Sequence, residues 1–148
     1  MRQAQVVLAF DFGLKRIGIA SGDTLTREAL ARPAAAVGVK GPDWDAIGGV
    51  IRAAGPAQLV VGAPYNADGT EGALMRAVRG FASELEQRFA LPVQFVDERF
   101  SSLEASAALK ARRASGELRR RVARSDIDSA AAAVILGRFF QGEGKVTP

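Results

Sequence analysis

Acidic residues occur at three places where an apolar segment ends or a helix begins. Asp11 follows the run VVLAF, the pair Asp97-Glu98 follows VQFV, and Asp128 stands just before the apolar segment AAAAVIL. A carboxylate buried at the end of a core strand costs stability unless a positive charge compensates it. The candidates for compensation are a bound metal ion or the cations Lys15 and Arg16, which follow Asp11 across a turn through Gly13. Three such acids brought together could hold two divalent cations, and two cations about 4 Å apart can activate a water and stabilise the leaving oxygen of a phosphodiester. The chain contains no histidine and no cysteine. That removes Ser-His and Cys-His nucleophile systems, disulfides and thiolate zinc sites. Any metal must therefore sit among oxygens, which favours Mg2+ or Mn2+.

Each acid also has a purely structural reading. Asp11 could cap the GLKR turn. Asp97 and Glu98 could pair with Arg99 or Lys15. Asp128, three residues after Ser125, could be the reciprocal member of a capping box, and Asp126 fits a helix-start charge favoured by the dipole.

Positive charge is concentrated in one place. The segment from Lys110 to Arg124 holds seven basic residues and one acid, while the formal net charge of the chain is only +4. Such a patch on a nearly neutral body suits a phosphate backbone, with Arg119, Arg120 and Arg121 as its densest part. A solvated loop that aids solubility is the plainer alternative. Three adjacent arginines cannot share one helix face, and Ser115 and Gly116 interrupt the helical pattern, so a mobile segment is expected. No base-reading motif is present, which points to recognition of shape and phosphates.

The elements that must position these residues alternate between strand and helix. Val6 to Asp11 and Arg16 to Ser21 read as a hairpin across the GLKR turn. The stretch Thr26 to Val37 alternates weakly and is expected to be a third strand. Asp43 to Ala54 reads as a helix ended by Gly55-Pro56, and Gln58 to Gly62 as a short buried strand. Turn chemistry at Asn66 to Gly69 precedes a long helix from Glu71 to Phe89, and a strand follows from Val93 to Asp97. A further helix is expected from Ser101, with Glu104 completing a capping box, and a final one from near Ser125 to Phe140. Phe139 and Phe140 would be core or dimer surface. The tail from about residue 142 to 148 is expected to be loose. The pattern predicts a single α/β domain over 1–148, with a mixed five-stranded sheet and helices on both faces. Active groups in such sheets gather at the carboxyl ends of parallel strands. With no signal peptide and no membrane-length apolar run, a cytoplasmic protein without membrane contact is expected.

Four blocks, DFGLKRIGIA, VVGAPYNADGTEG, DERFSSLEA and DIDSAAAAVIL, occur in an order and spacing that resemble the RuvX/YqgF family. The resemblance implies an RNase H-like fold related to the Holliday-junction resolvase RuvC. It further implies metal-dependent endonuclease activity, a hydrolase acting on ester bonds with two divalent cations. The family is associated with maturation of the 5′ end of 16S ribosomal RNA, and resolution of four-way DNA junctions is also proposed for members. Residue by residue, Asp11 matches the family's first-strand acid, Glu98 the acid of its DER block and Asp128 the acid opening its last helix. RuvC places its second acid on the preceding strand, which here ends in Gly62-Ala63-Pro64, so Asp97 stands as an alternative to Glu98. Lys15, Arg16 and Arg99 would join Arg119, Arg120 and Arg121 in contacting substrate, either structured RNA or junction DNA. Junction cleavage would call for a homodimer making two symmetric cuts. An actin-like phosphate loop is a competing reading of DFGLKRIG, but it needs a second similar domain. A non-catalytic RNA-binding module would keep the basic segment without needing the acids.

Overall fold

The computed structural model describes residues 4–65, 68–97, 124–142 and 145–146. The chain folds in the order β1 (Val6–Phe12), β2 (Arg16–Asp23), β3 (Ala29–Gly38), β4 (Gly41–Pro42), α1 (Trp44–Ala54), β5 (Gln58–Ala63), α2 (Leu74–Phe89), β6 (Val93–Asp97), α3 (Arg124–Phe140) and β7 (Lys145–Val146). The seven strands form one sheet in the order β4-β3-β2-β1-β5-β6-β7. Five of these strands are longer than two residues and match the expected five; β4 and β7 add two-residue ladders at the edges. β1 pairs antiparallel with β2 and parallel with β5, and β5 pairs parallel with β6.

The central strand β1 is apolar from Val6 to Phe10 because both of its faces are covered there. Leu8 and Phe10 point into a core shared with Ile17, Ile19, Leu59, Val61 and Phe95 under α1 and α2. Val7 and Ala9 point the other way and pack with Ala20, Val60 and Val96 against Ala132, Ile135 and Leu136 of α3. Helices thus cover both faces, as the pattern predicts.

Local chemistry sets several boundaries. Asp43 caps α1 by accepting from the Ala46 amide at 3.1 Å, and Gly55 ends it in the left-handed conformation at φ 61°, where glycine carries no Cβ penalty. The Phe81 ring then packs against Phe10, Phe12 and Trp44, and Phe89 packs in turn on Trp44.

Three boundaries differ from the expectation. β3 starts at Ala29, not Thr26, and runs to Gly38; several of its residues are exposed, and pairing with β2 holds it together with the buried Ala35. α2 begins at Leu74, not Glu71. Glu71 instead forms a bridge with Tyr65 and a two-bonded ion pair with Arg79 in α2, and the chain enters the helix through a turn in which the Met75 amide donates to the Gly72 carbonyl. Within the segment expected to be loose, Lys145 and Val146 add to the β6 edge opposite Val96 and Phe95, because an unpaired edge strand offers backbone donors and acceptors. The helix expected from Ser101 lies outside the described residues. No helix among the described residues is long and apolar enough to cross a membrane.

Candidate active site

The parallel strands β1, β5 and β6 end at one edge of the sheet. Phe10, Val61 and Phe95 form one paired row across them. Asp11 lies one residue beyond that row and Asp97 two, opposite Ala63. Asp11 is half-buried and shares its strand face with Val7 and Ala9, the face that α3 covers. Asp97 has the parity of Phe95, so it belongs to the opposite face, under α2.

Helix α3 delivers the third acid's position. Ser129 is buried, and its Oγ donates to the Arg32 carbonyl of β3 at 2.5 Å. Arg32 pairs with Ile19 and Ile19 with Phe10, so the start of α3 lies level with the end of β1. At the other end of the helix, a Cβ added to Gly22 would meet the Phe140 ring at 3.0 Å, and Gly22 pairs with Val7 near the beginning of β1. The helix therefore crosses this face obliquely, with Ser129 toward the carboxyl end of β1 and Phe140 toward its beginning. It brings the position of Asp128, the residue before Ser129, to the edge and the sheet face of Asp11. Asp128 itself is in the first turns of α3.

Lys15 and Arg16 follow in the β1–β2 turn at the same edge. Gly13 there is required by close approach: a Cβ would stand 2.6 Å from the Arg16 carbonyl oxygen. The Lys15 carbonyl accepts from the Val37 amide at 2.9 Å, which ties the turn to β3. With Ala73, Leu74 and Ala77 of α2, residues 13–16 line a groove of about 630 Å³. Asp68 accepts from the amide and the hydroxyl of Thr70 at 2.9 and 2.6 Å, and Gly69 takes a positive φ of 89°; residues 66 and 67 of the expected turn lie outside the described residues. Glu98, Arg99, Arg119, Arg120 and Arg121 lie outside the described residues.

Two contributors escape a reading of the motifs. Ser129 is one. Arg138 is the other: its Nη1 donates to the Asp97 carbonyl at 3.1 Å, so α3 also grips the end of β6, next to Glu98 in sequence. The signal for Arg138 was its position as the one cation within AAAAVILGRFF. Phe139 and Phe140 pack against the core beneath α3.

Among carboxylates elsewhere, the Arg79 guanidinium holds the Glu71 carboxyl below its ordinary value, and Glu71 in turn raises Arg79. Amide donation from Thr26, and then Leu25, lowers Asp23. Asp23 pairs with Val6 at the opposite edge of the sheet, whereas Glu71 lies in the segment that follows β5, on the strand-end side. Among the described residues no three metal-binding side chains cluster; that set does not include Glu98.

The sequence model of RuvX, described as Holliday junction resolvase, matches residues 5–142. A protein of Xanthomonas campestris named "Putative pre-16S rRNA nuclease" is 41% identical over 147 residues, covering 99% of this chain and 94% of its own. One of the same name from Methylobacillus flagellatus is 46% identical over 138 residues, covering 92% and 90%. Among solved structures, Thermus thermophilus RuvC in complex with a Holliday junction substrate superposes with a TM-score of 0.57 at 16% identity, over 96% of this chain and 99% of that one. A further Thermus thermophilus RuvC structure gives 0.52 at 18% identity, over 95% and 98%. At such identities the likeness establishes the shared fold, RNase H-like with helices on both faces of the sheet. Sequence relatives along nearly the whole length establish more: this chain belongs to the RuvX family.

Proposed function

We propose that this chain is a metal-dependent endonuclease that hydrolyses phosphodiesters of structured RNA, with the 5′ leader of 16S ribosomal RNA as its substrate. The observation that carries this reading is the meeting of the β1 end and the α3 start at one edge and one face of the sheet. The names of the sequence relatives support the substrate.

Asp11, Glu98 and Asp128 would hold the cations. Were the alternation of β6 to continue one residue, Glu98 would take the face of Val96, shared with Asp11, and not the face of Asp97. That favours Glu98 over Asp97 as the second ligand. The available donors fit Mg2+ or Mn2+, since the chain offers carboxylates and no imidazole or thiolate. When bound, such cations supply Lewis acidity and neutralise charge at the phosphodiester. The residues do the remainder. Asp11 is held in place by the sheet, and Asp128 by the helix that Ser129 fastens. Lys15 and Arg16 would orient flanking phosphates, with Arg99, Arg119, Arg120 and Arg121 extending the positive track along the strand. With no imidazole in the chain, no side chain with an ordinary pKa near neutrality is available as a general base.

Four-way junction DNA is the second substrate to test, favoured by the description of the family that matches. A side-by-side cleavage assay with Mn2+ on a pre-16S leader fragment and a mobile four-way junction decides between them. Cleavage of the leader alone supports the RNA reading. Symmetric cuts in the junction alone, by a dimer, replace it. Carboxylate-independent binding of both without cleavage overturns the nuclease reading.

A further inference from the structure

The groove between the β1–β2 turn and the start of α2 has two kinds of lining. Leu14, Ala73, Leu74 and Ala77 are apolar, and Lys15 and Arg16 are cationic; among the described residues no carboxylate lines it. Leu14 is 72% exposed, while Leu74 is partly buried and rests on the core. The tight turn at Gly13 and the bond from the Val37 amide to the Lys15 carbonyl tie this lip to β3. Leu14 thus presents an apolar side chain beside a lysine, at the edge that carries Asp11.

Nucleic acid matches that combination. A base presents a flat apolar face of a kind that apolar side chains can cover, and its phosphate carries the charge that a lysine takes. In a duplex both faces of each base are already stacked, so only an unpaired nucleotide can place a face against Leu14 and Leu74. The volume lies within the ordinary range for a small-ligand site. Resting on the nuclease reading above, we infer that this groove receives one unpaired nucleotide of the strand to be cut. The enzyme would thereby select single-stranded positions adjoining a helix and reject continuous duplex.

The test reads binding without metal, in EDTA, so that it does not depend on turnover. Two probes are compared, a blunt duplex and the same duplex with a three-nucleotide unpaired extension carrying 2-aminopurine, each in RNA and in DNA. The full chain is expected to bind the extended probe about tenfold more tightly, toward the lower end of what one stacked base contributes, with a change in 2-aminopurine emission. Ala77→Leu fills the groove at a helix position that tolerates leucine, and Leu14→Ala removes the exposed lip. Both should bring the extended probe down to the affinity of the blunt one, leave blunt-duplex binding unchanged and abolish the emission change. A preference in either RNA or DNA that both variants lose supports the groove. A preference that both variants retain, or equal binding of the two probes by the unaltered chain, overturns it. Failure of the nuclease reading is separable: a chain that binds with this preference yet never cleaves with Mn2+ leaves the groove standing and removes the catalytic assignment.

Discussion

Ser129 Oγ donates to the carbonyl oxygen of Arg32 at 2.5 Å, across 97 positions of sequence. Arg32 in turn donates from Nε to Ser21 Oγ at 2.8 Å. Two buried serines and one arginine thus fasten the start of α3 to β2 and β3, and that fastening sets where Asp128 lies. Ser129→Ala leaves the Arg32 carbonyl without this donor. It should cost about 1 kcal/mol, a drop in Tm of roughly 3 °C for a chain of this size. Metal titration of cleavage should show weaker apparent metal affinity than the fall in Tm explains. An unchanged Tm would show that the bond does not hold the helix.

Asp11→Asn and Asp128→Asn keep shape and remove charge. Each is expected to lower metal-dependent cleavage more than about a hundredfold, beyond the loss typical of residues that merely support a metal ligand. Melting temperatures without metal should stay level or rise as repulsion between the acids is relieved. For Asp128, normal turnover with a lower Tm would instead identify a helix-capping role, worth about 1 kcal/mol.

Gly13→Ala places a Cβ 2.6 Å from a backbone carbonyl oxygen that cannot swing aside. Destabilisation of about 1–3 kcal/mol is expected, as for other forced overpacking. Thermal unfolding measures it directly. A variant as stable as the parent would mean that the turn relaxes and that glycine serves substrate approach alone.

Asp23 accepts from the Leu25 and Thr26 amides at 2.9 and 2.8 Å, and those bonds lower its pKa from an ordinary 3.8. A carboxyl depressed by folding contributes stability above its unfolded pKa and loses it as pH falls through the folded value. The gap in Tm between the parent and Asp23→Ala should therefore be full at neutral pH and shrink below about pH 4. Melts at pH 7 and pH 3 decide this; a gap that does not narrow would assign the turn's stability to neutral hydrogen bonding.

Replacement of Arg119, Arg120 and Arg121 together by alanine should weaken binding to RNA and to junction DNA alike. The slope of log affinity against log salt should become shallower by about 0.7–0.9 for each phosphate that the arginines no longer neutralise. Fluorescence anisotropy at several salt concentrations gives the slope. An unchanged slope would place the phosphate-tracking surface elsewhere.

Much of this architecture is legible in local sequence. The run VVLAFDFGLKRIGIA announces a hairpin because apolar stretches flank a turn whose glycine cannot be replaced cheaply. Asp43 and Gly55 bound α1 through short-range hydrogen bonds and backbone conformation. The strand Val93–Asp97 is found at its expected limits for a similar reason, an apolar run after a proline. The resemblance of four ordered blocks carried the family.

Tertiary structure decided the rest, because it depends on contacts that no local pattern encodes. β3 is a strand through its pairing with β2, which its exposed residues do not advertise. Glu71 leaves α2 because Arg79 and Tyr65 hold it. The parity of β6 separates Asp97 from the face of Asp11, a consequence of which side each helix covers. Above all, three acids in a sequence are only candidates. The course of α3 across the sheet, with Ser129 on Arg32 and Phe140 over Gly22, is what brings the position of Asp128 to the edge and sheet face of Asp11, and it rests on contacts between residues far apart in sequence.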